Sequence, residues 1–374
     1  MKVTFLIITF LHGLIHILGF LKAFGIRETK ELTLPISKTM GILWLLVTIL
    51  FSIYGFTIIV NSKYSWIIGL VAIIISQFII IYFWTDAKFG SIPNILILLV
   101  VLFSFGTYNF NKIIESETSQ ILSNVSLKNL KPISETALNG LPKPIQKWIK
   151  TTGIIGKDEL KVAWIKQKAL MKMKPEQKDW YSAEAIQYST FENPAFIWTV
   201  EMEMMPLINI KGRDKFFGGK GEMLIKINSL INVVNEKGEK LDEGTLQRYL
   251  GELVWFPSLA LSPLIEWEEI DDFSAKATIK YYDTHVSGTF YFNENGDFTK
   301  FITLRYMGNE DKKYPWVLTV DGYSQFEGIK IPSKMKATWK LDKGDWTWLD
   351  LEILDVKYNE NVSIFANSSS FSFL

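Results

Sequence analysis

Residues 92–117 read IPNILILLVVLFSFGTYNFNKIIESE, and within them the sequence changes character. From Ile92 to Tyr108 there is no acidic or basic side chain. A helix crosses the hydrocarbon core of a membrane with roughly 17–25 such residues. After Asn109, lysine and glutamate return, and residues 110–150 are polar with scattered prolines. The stretch therefore separates a predicted membrane-embedded part from a predicted soluble part.

Three further apolar segments precede this one, and none contains Asp, Glu, Lys or Arg. Trp66, Trp84 and Tyr108 lie near segment ends, where amphipathic aromatic rings prefer the membrane interface. No small-residue cleavage site follows the first segment, so we expect a retained helix rather than a signal peptide. The sequence thus predicts a membrane bundle of four spans, at about Val3–Leu21, Met40–Val60, Trp66–Trp84 and Ile92–Tyr108.

The basic residues of the loops predict an orientation. Loop 1, at about residues 22–38, holds four Lys or Arg and loop 3 holds Lys88, whereas the opposite side has only Lys2 and Lys63. Loops rich in Lys and Arg stay in the cytoplasm. Lys112, just after span four, argues mildly for the reverse. We expect an integral protein of the bacterial inner (plasma) membrane with both termini outside and a large extracytoplasmic C-terminal domain.

Composition removes several classes of function. The formal net charge is only +1, so nothing in the overall charge suggests nucleic acid as a partner. The chain has no cysteine, which excludes disulfides, thiolate metal sites and cysteine nucleophiles. No cofactor motif is recognised: the glycine-rich FFGGKGE at 216–222 lacks the Lys-Ser/Thr ending of a phosphate loop and instead predicts a tight hairpin.

From Glu159 onward the apolar residues alternate with period two, which indicates strands. Turn signals such as NEKG (235–238), NENGD (293–297) and DKGD (342–345) separate ten or more such segments. Hairpin-length links favour one large curved antiparallel sheet or incomplete barrel. The resulting β domain, 157–374, contains one predicted helix in LDEGTLQRYLGELVWFPSLALSP (241–263), with Asp242 as its N-cap and Pro257 and Pro263 as breakers.

Between the membrane domain, 1–112, and the β domain we expect a connector, 113–156, with a short helix. The helix begins near Pro144, and Gly153 and Gly156 end it. The fold class is therefore a four-span α-helical membrane bundle plus a mainly-β domain wrapped round one helix.

Eight segments of the sequence are specific in combination. They are FLHGLIHILGFLKAFG (10–25), ELTLPISKTMGILWLL (31–46), SQFIIIYFWTDAKFGSIPNILIL (76–98), RDKFFGGKGEML (213–224), QRYLGELVWFPS (247–258), WEEIDDFSAKATI (267–279), FNENGDFTKFITLRY (292–306) and GIKIPSKMKATWKL (328–341). Together they resemble an uncharacterised bacterial membrane-protein family, a domain of unknown function. The resemblance implies membrane location, but no reaction and no catalytic residue. The curved sheet with its helix also resembles the lipoprotein-carrier half-barrels, which hold acyl chains between sheet and helix.

His12 and His16 are one helical turn apart in the first span, so their rings share a face. The spacing suits a metal, but zinc needs a third protein ligand, and the only other histidine is His285. A second copy of the chain could complete such a site. The alternative is a polar contact between membrane helices. Its candidate partners are Thr48, Ser52, Ser76, Gln77 and Ser104.

A second cluster lies in the β domain. Arg248 and Glu252 are four residues apart on the predicted helix and are flanked by aromatics. Their surroundings suggest partial burial, and buried charges need partners. One interpretation is a polar clasp between helix and sheet. The other is a head-group or carboxylate site at the mouth of an apolar cavity, since arginine suits bidentate anion binding. The candidate ligand-binding residues are Arg213, Asp214, Arg248, Glu252, Trp255 and Arg305.

No catalytic set is recognised. IEWEEIDD (265–272) reads as a solvated acidic edge, and His285 has no nucleophile-elbow signature nearby. Ten of the 13 tryptophans lie beyond residue 112, where they either fill a core or line a concave pocket. We expect a non-enzymatic membrane protein whose β domain binds a membrane lipid or apolar small molecule. The alternatives are an envelope scaffold that binds another protein, or a haem- or metal-dependent redox protein that uses the histidine pair.

Overall fold

The computed structural model describes residues 2–205, 208–308 and 310–360. The chain divides into two compact units, with the boundary between Lys112 and Ile113. The predicted β domain extends to residue 374, and its last 14 residues lie outside the described part of the chain.

The first unit consists of helices. Four of them are long and apolar enough to cross a membrane, at Lys2–Ala23, Lys38–Ile59, Ser65–Tyr82 and Trp84–Leu122, which confirms the four predicted candidates. The first candidate is interrupted at His16. A short 3₁₀ turn, Lys88–Gly90, lies within the fourth candidate. The helices are α1 (Lys2–Ile15), α2 (Ile17–Ala23), α3 (Lys38–Ile59), α4 (Ser65–Tyr82), α5 (Trp84–Ala87) and α6 (Ser91–Leu122).

Helix α6 is longer than the predicted fourth span. The sequence predicted that the span ends near Tyr108, yet the helix continues to Leu122. Residues 113–122 contain neither glycine nor proline, so no residue in them breaks the helix when the composition turns polar. The end of α6 therefore occupies the start of the segment that was expected to be a connector.

Both faces of the membrane-type helices are apolar. Trp44, Phe51 and Tyr54 of α3 are buried inside the bundle, whereas Ile74 and Ile81 of α4 are exposed. A soluble helix would carry polar residues on its outer face. Apolar residues on both faces are typical of helices that are surrounded by lipid.

In the described part of the chain, the second unit is built on one antiparallel sheet of 13 strands. Consecutive strands pair as hairpins, including the one at Gly218 and Gly219. The strands are β1 (Val162–Met171), β2 (Tyr181–Thr190), β3 (Ala195–Met205), β4 (Ile208–Phe217), β5 (Lys220–Ile227), β6 (Ile231–Lys237), β7 (Ile265–Asp271), β8 (Ser274–Tyr281), β9 (Thr284–Phe292), β10 (Phe298–Tyr306), β11 (Lys313–Phe326), β12 (Ile329–Leu341) and β13 (Gly344–Tyr358).

The strand order shows how the two halves of the sheet are joined. The first and last strands, β1 and β13, pair with each other and join two meanders, β1–β6 and β7–β13. The free edges are β6 and β7, which are neighbours in sequence but not in the sheet. The sheet is therefore open between these two strands, which confirms the predicted incomplete barrel. The acidic strand β7 is one of its edges, and its residues after Trp267 are exposed.

One helix, α8 (Glu239–Gly251), connects the two edge strands and packs against both halves of the sheet, on β5 and on β9 and β10. Leu246, Tyr249 and Leu250 form its buried apolar face. Two 3₁₀ turns, Glu252–Trp255 and Pro257–Leu261, follow it. The single internal helix of the prediction is thus present.

The predicted N-cap of this helix is wrong. The helix begins at Glu239 and its N-cap is Gly238, whose φ of 126° turns the chain out of β6. Asp242 lies one turn further along, where the helix dipole also favours an acid. Its carboxylate accepts hydrogen bonds from the Gly221 N–H at 2.7 Å and from Lys220 Nζ at 2.9 Å. Asp242 therefore joins the helix to the β4–β5 hairpin rather than capping it.

The short helix α7 (Lys143–Thr152) forms as the sequence predicts. It starts with Pro144 in its first turn and ends at Gly153, whose φ is 72°. Ile145, Trp148 and Ile149 are buried in the core of the second unit. The amphipathic pattern of this helix thus packs it against the sheet unit.

Candidate ligand-binding cavity

A cavity of about 630 Å³ lies between α8 and the sheet. Small-molecule sites in proteins commonly have volumes of about 300–1,000 Å³. Six tryptophans and four methionines line it, together with other apolar residues from β5 and β10–β13. They are Trp198, Trp255, Trp316, Trp339, Trp346, Trp348, Met173, Met223, Met307 and Met335.

The aromatic residues of the cavity wall share one face of the sheet, because side chains alternate between the two faces along a strand. Met335, Ala337 and Trp339 are every second residue of β12, so they lie on one face of the sheet. Trp339 is the register partner of Trp316 on β11 and of Trp346 on β13. Three indole rings therefore form a row across three strands. We call Trp316, Trp339 and Trp346 the tryptophan row.

A buried polar network, formed by Asp214, Arg248, Glu252 and Gln187, lies at one side of the cavity. Arg248 donates from Nε to Glu252 at 2.7 Å, and its terminal nitrogens donate to Asp214 and to Gln187, each at 3.0 Å. Gln187 in turn donates to the second oxygen of Glu252 at 2.6 Å. This arrangement satisfies the charged groups of α8 within the apolar interior.

Burial also affects Asp214, one of the acids of this network. Burial raises the pKa of Asp214 above its ordinary value, although the charge of Arg248 opposes the rise. The Arg248 guanidinium lies over the rings of Phe196 and Trp198, 4.8 and 4.9 Å from their centroids. Hydrogen bonds and ring contacts together hold Arg248 in one place.

A second arginine, Arg305, reaches the same cavity from β10. Its guanidinium lies 4.9 Å from the ring centroid of Trp316 and 5.9 Å from that of Trp339. Burial, followed by the nearby charge of Arg248, lowers the pKa of Arg305 to about 10. The Arg305 side chain is therefore a cation held against the tryptophan row.

Helix α8 comes close to Arg305 because residue 244 is glycine. A Cβ atom built on Gly244 would lie 3.0 Å from Nε of Arg305. The guanidinium therefore fits between the helix backbone and the indole rings. The glycine contributes space rather than an unusual backbone angle.

Five of the six candidate ligand-binding residues line this cavity, namely Asp214, Arg248, Glu252, Trp255 and Arg305. Arg213 does not, because successive residues of β4 point to opposite faces. Arg213 forms ion pairs with Glu117 at 3.0 Å and with Glu222 at 3.3 Å. The sequence patterns identified neither Glu117 nor Gln187. The available signal for Gln187 was an amide side chain among the small residues of β2.

The histidine pair of the first unit contacts polar side chains of neighbouring helices. His12 Nε2 lies 2.8 Å from Asn94 Oδ1, and Ser76 Oγ lies 3.0 Å from His16 Nε2 and 3.4 Å from His12 Nε2. Ser76 was among the predicted partners. Asn94 was not, although an amide inside an apolar span was the available signal.

The rings of the pair are 5.1 Å apart between centroids and nearly perpendicular. Among the described residues, no group of three or more His, Asp or Glu side chains could hold a metal ion. The polar partners of His12 and His16, Asn94 and Ser76, are of the kind expected for a polar contact between membrane helices.

Comparisons with known proteins give a family but no activity. No curated protein matches the chain. Among solved structures, the chain is similar to a LolA superfamily protein, NE2245 from Nitrosomonas europaea, with 12% identity and a TM-score of 0.33 over 57% of this chain and 91% of that one. The model of a family of unknown function, DUF6544, matches residues 131–351, and this confirms the family resemblance of the motifs. Since the match covers more than half of its length, the chain belongs to the DUF6544 family.

Proposed function

We propose that the second unit binds a lipid or another apolar molecule in the cavity between α8 and the sheet. One observation carries the proposal: about 630 Å³ of space is left open beside six tryptophans and four methionines, although side chains of this size normally pack together. A cavity in a protein interior weakens packing, which favours the interpretation that this one holds a ligand. A scaffold was expected to have a filled interior.

The lining suits a flexible hydrocarbon chain. Each methylene group that leaves water contributes about 0.8 kcal/mol. Methionine side chains adapt their shape to irregular ligands. Met223, Met307 and Met335 reach the cavity from three different strands or strand ends. An acyl chain would therefore find adaptable side chains beside the rigid tryptophan row.

The membrane setting supports a lipid as the ligand. Four helices are long and apolar enough to span a membrane. We propose further that the protein lies in the inner membrane with the cavity on the extracytoplasmic side, as the charges of the loops predict. The proposal includes no reaction. Asp214 and Glu252, two of the acids that line the cavity, form ion pairs with Arg248.

The test uses the full chain in lipid nanodiscs and an uncharged alkyl alcohol that carries a photoreactive diazirine. After irradiation and digestion, mass spectrometry locates the cross-links. We expect them on peptides from β11, β12 and β13. The variant Leu351→Trp fills the cavity from its wall and should reduce this labelling severalfold. Leu351 is 4% exposed and lines the cavity.

Leu354→Trp is the matched control, because it makes the same change on the same strand at a side chain that is 46% exposed. It should label like the unchanged protein. Cross-links that fall only on the membrane helices, or that are insensitive to Leu351→Trp, would refute the proposal.

A further inference from the structure

The guanidinium of Arg305 has no polar partner among the described residues. A guanidinium carries five N–H donors. Within residues 2–205, 208–308 and 310–360, the contacts of Arg305 are with the faces of Trp316 and Trp339 and with the backbone at Gly244. None of its donors forms a hydrogen bond or ion pair with these described residues. The side chain is half-buried and borders the cavity.

Arg248, in the same cavity, shows the opposite situation. Its guanidinium donates to Glu252, Asp214 and Gln187. The two acids and this one arginine carry a net charge of −1, which attracts Arg305 from a distance without touching it. Arg305 is therefore kept in the cavity as a cation while its donors stay open.

A partly buried charged donor gains free energy when it pairs with a charged acceptor. The flat fork of arginine matches the two oxygens of a carboxylate or phosphate. An oxyanion at Arg305 would thus accept hydrogen bonds from its open donors.

We infer that the ligand of this cavity is an anionic amphiphile whose single oxyanion head group, carboxylate or phosphate, binds Arg305. Its hydrocarbon tail lies against the tryptophan row. The inference rests on the proposed function and specifies the class of ligand. We assign the head group to Arg305 rather than to Arg248, because the Arg248 guanidinium is already paired with the carboxylates of Glu252 and Asp214.

The test is a competition against the photoreactive alcohol described above, with the full chain in nanodiscs at alkaline pH. An unlabelled fatty acid and the fatty alcohol of the same length compete separately. Lysophosphatidic acid and monoacylglycerol form a second pair, which distinguishes phosphate from carboxylate. The measured quantity is the ratio of half-maximal competing concentrations, uncharged over anionic.

We expect this ratio to fall by about ten- to hundredfold from the unchanged chain to Arg305→Gln, in at least one pair, because a charged hydrogen bond is lost. Comparing the two proteins cancels the different partitioning of acid and alcohol into the bilayer. Arg305→Lys should restore part of the ratio.

Lys334→Gln is the matched control. It removes the same charge from β12, at an amine that pairs with Glu352 and does not line the cavity. Its ratio should equal that of the unchanged chain. Retained labelling by the alcohol shows that Arg305→Gln still folds.

The outcomes separate the two proposals. If alcohol and acid both compete but the ratio is the same in the unchanged chain and in Arg305→Gln, the head-group inference is overturned and the apolar cavity stands. If neither competes at the cavity peptides, the proposed function itself fails.

Discussion

At the scale of single residues, Asp242 joins α8 to the sheet. Its side chain is 3% exposed and accepts the buried Gly221 N–H. In Asp242→Ala that donor has no partner, and we expect a loss of about 1–3 kcal/mol of unfolding free energy. Thermal unfolding of the full chain in detergent measures it. Asp242→Asn keeps an acceptor and should lose less, because Lys220 is exposed. Equal stability of Asp242→Ala and the unchanged chain would contradict this role.

Glu222 gives a dependence on pH. Burial acts to raise its pKa, but the hydrogen bond from Lys237 and the charge of Lys215 lower it below the ordinary value of 4.5. Because the folded value is the lower one, the stabilisation is complete above about pH 4.5 and is lost as pH falls through the folded value.

Glu222→Gln should therefore destabilise the chain by about 1 kcal/mol at neutral pH. The difference in melting temperature from the unchanged chain should vanish in acid. Glu294→Gln, at an exposed side chain, is the control and should show no such difference at any pH. A difference that grows on acidification would show that the sign is wrong.

Sequence spacing predicted part of the cavity and missed part of it. Arg248 and Glu252 are four residues apart, so one helical turn brought them together. Gln187 is separated from Arg248 by 61 positions, and no local pattern links them. Arg213 and Asp214 are adjacent, and only the strand phase decides which of the two faces the cavity. Short-range geometry was predictable, whereas contacts across the sheet were not.

At the scale of elements, two glycines of α8 allow close packing. A Cβ on Gly251 would lie 2.9 Å from Phe301 and 3.0 Å from Leu318, which are packed in the core. Gly251→Ala should cost about 1–3 kcal/mol of unfolding free energy through overpacking. Thermal unfolding of the full chain tests this.

Gly244→Ala is the matched comparison on the same helix. Its neighbour is the end of the flexible Arg305 side chain, which can move aside. Alanine also favours helix by about 1 kcal/mol over glycine. The stability of Gly244→Ala should therefore be nearly unchanged. If Gly251→Ala were as stable, α8 would not pack as closely as described.

The hairpins of the sheet were predictable from the sequence, but the pairing of its first and last strands was not. Alternation and turns predicted the hairpins, because these form between neighbouring segments. The pairing of β1 with β13, which joins Ala163 to Tyr358, links distant parts of the chain. Likewise, the length of α6 depended on residues 113–122, whose polar composition suggested a connector although nothing in it stops a helix.

At the scale of the whole molecule, the loop charges predict the side of the membrane on which the C-terminus lies. A reporter that is active only outside the cytoplasm, fused after Leu374, should be active, because loops 1 and 3 carry most of the basic residues. A reporter that is active only in the cytoplasm is the reciprocal control. Activity of the cytoplasmic reporter alone would reverse the orientation.

The central claim is that the cavity between α8 and the sheet holds an apolar ligand. Native mass spectrometry of the gently purified full chain measures this directly, as the number of lipids retained after the detergent is removed. We predict one more retained lipid in the unchanged chain and in Leu354→Trp than in Leu351→Trp. Identical retention in all three proteins would contradict the account.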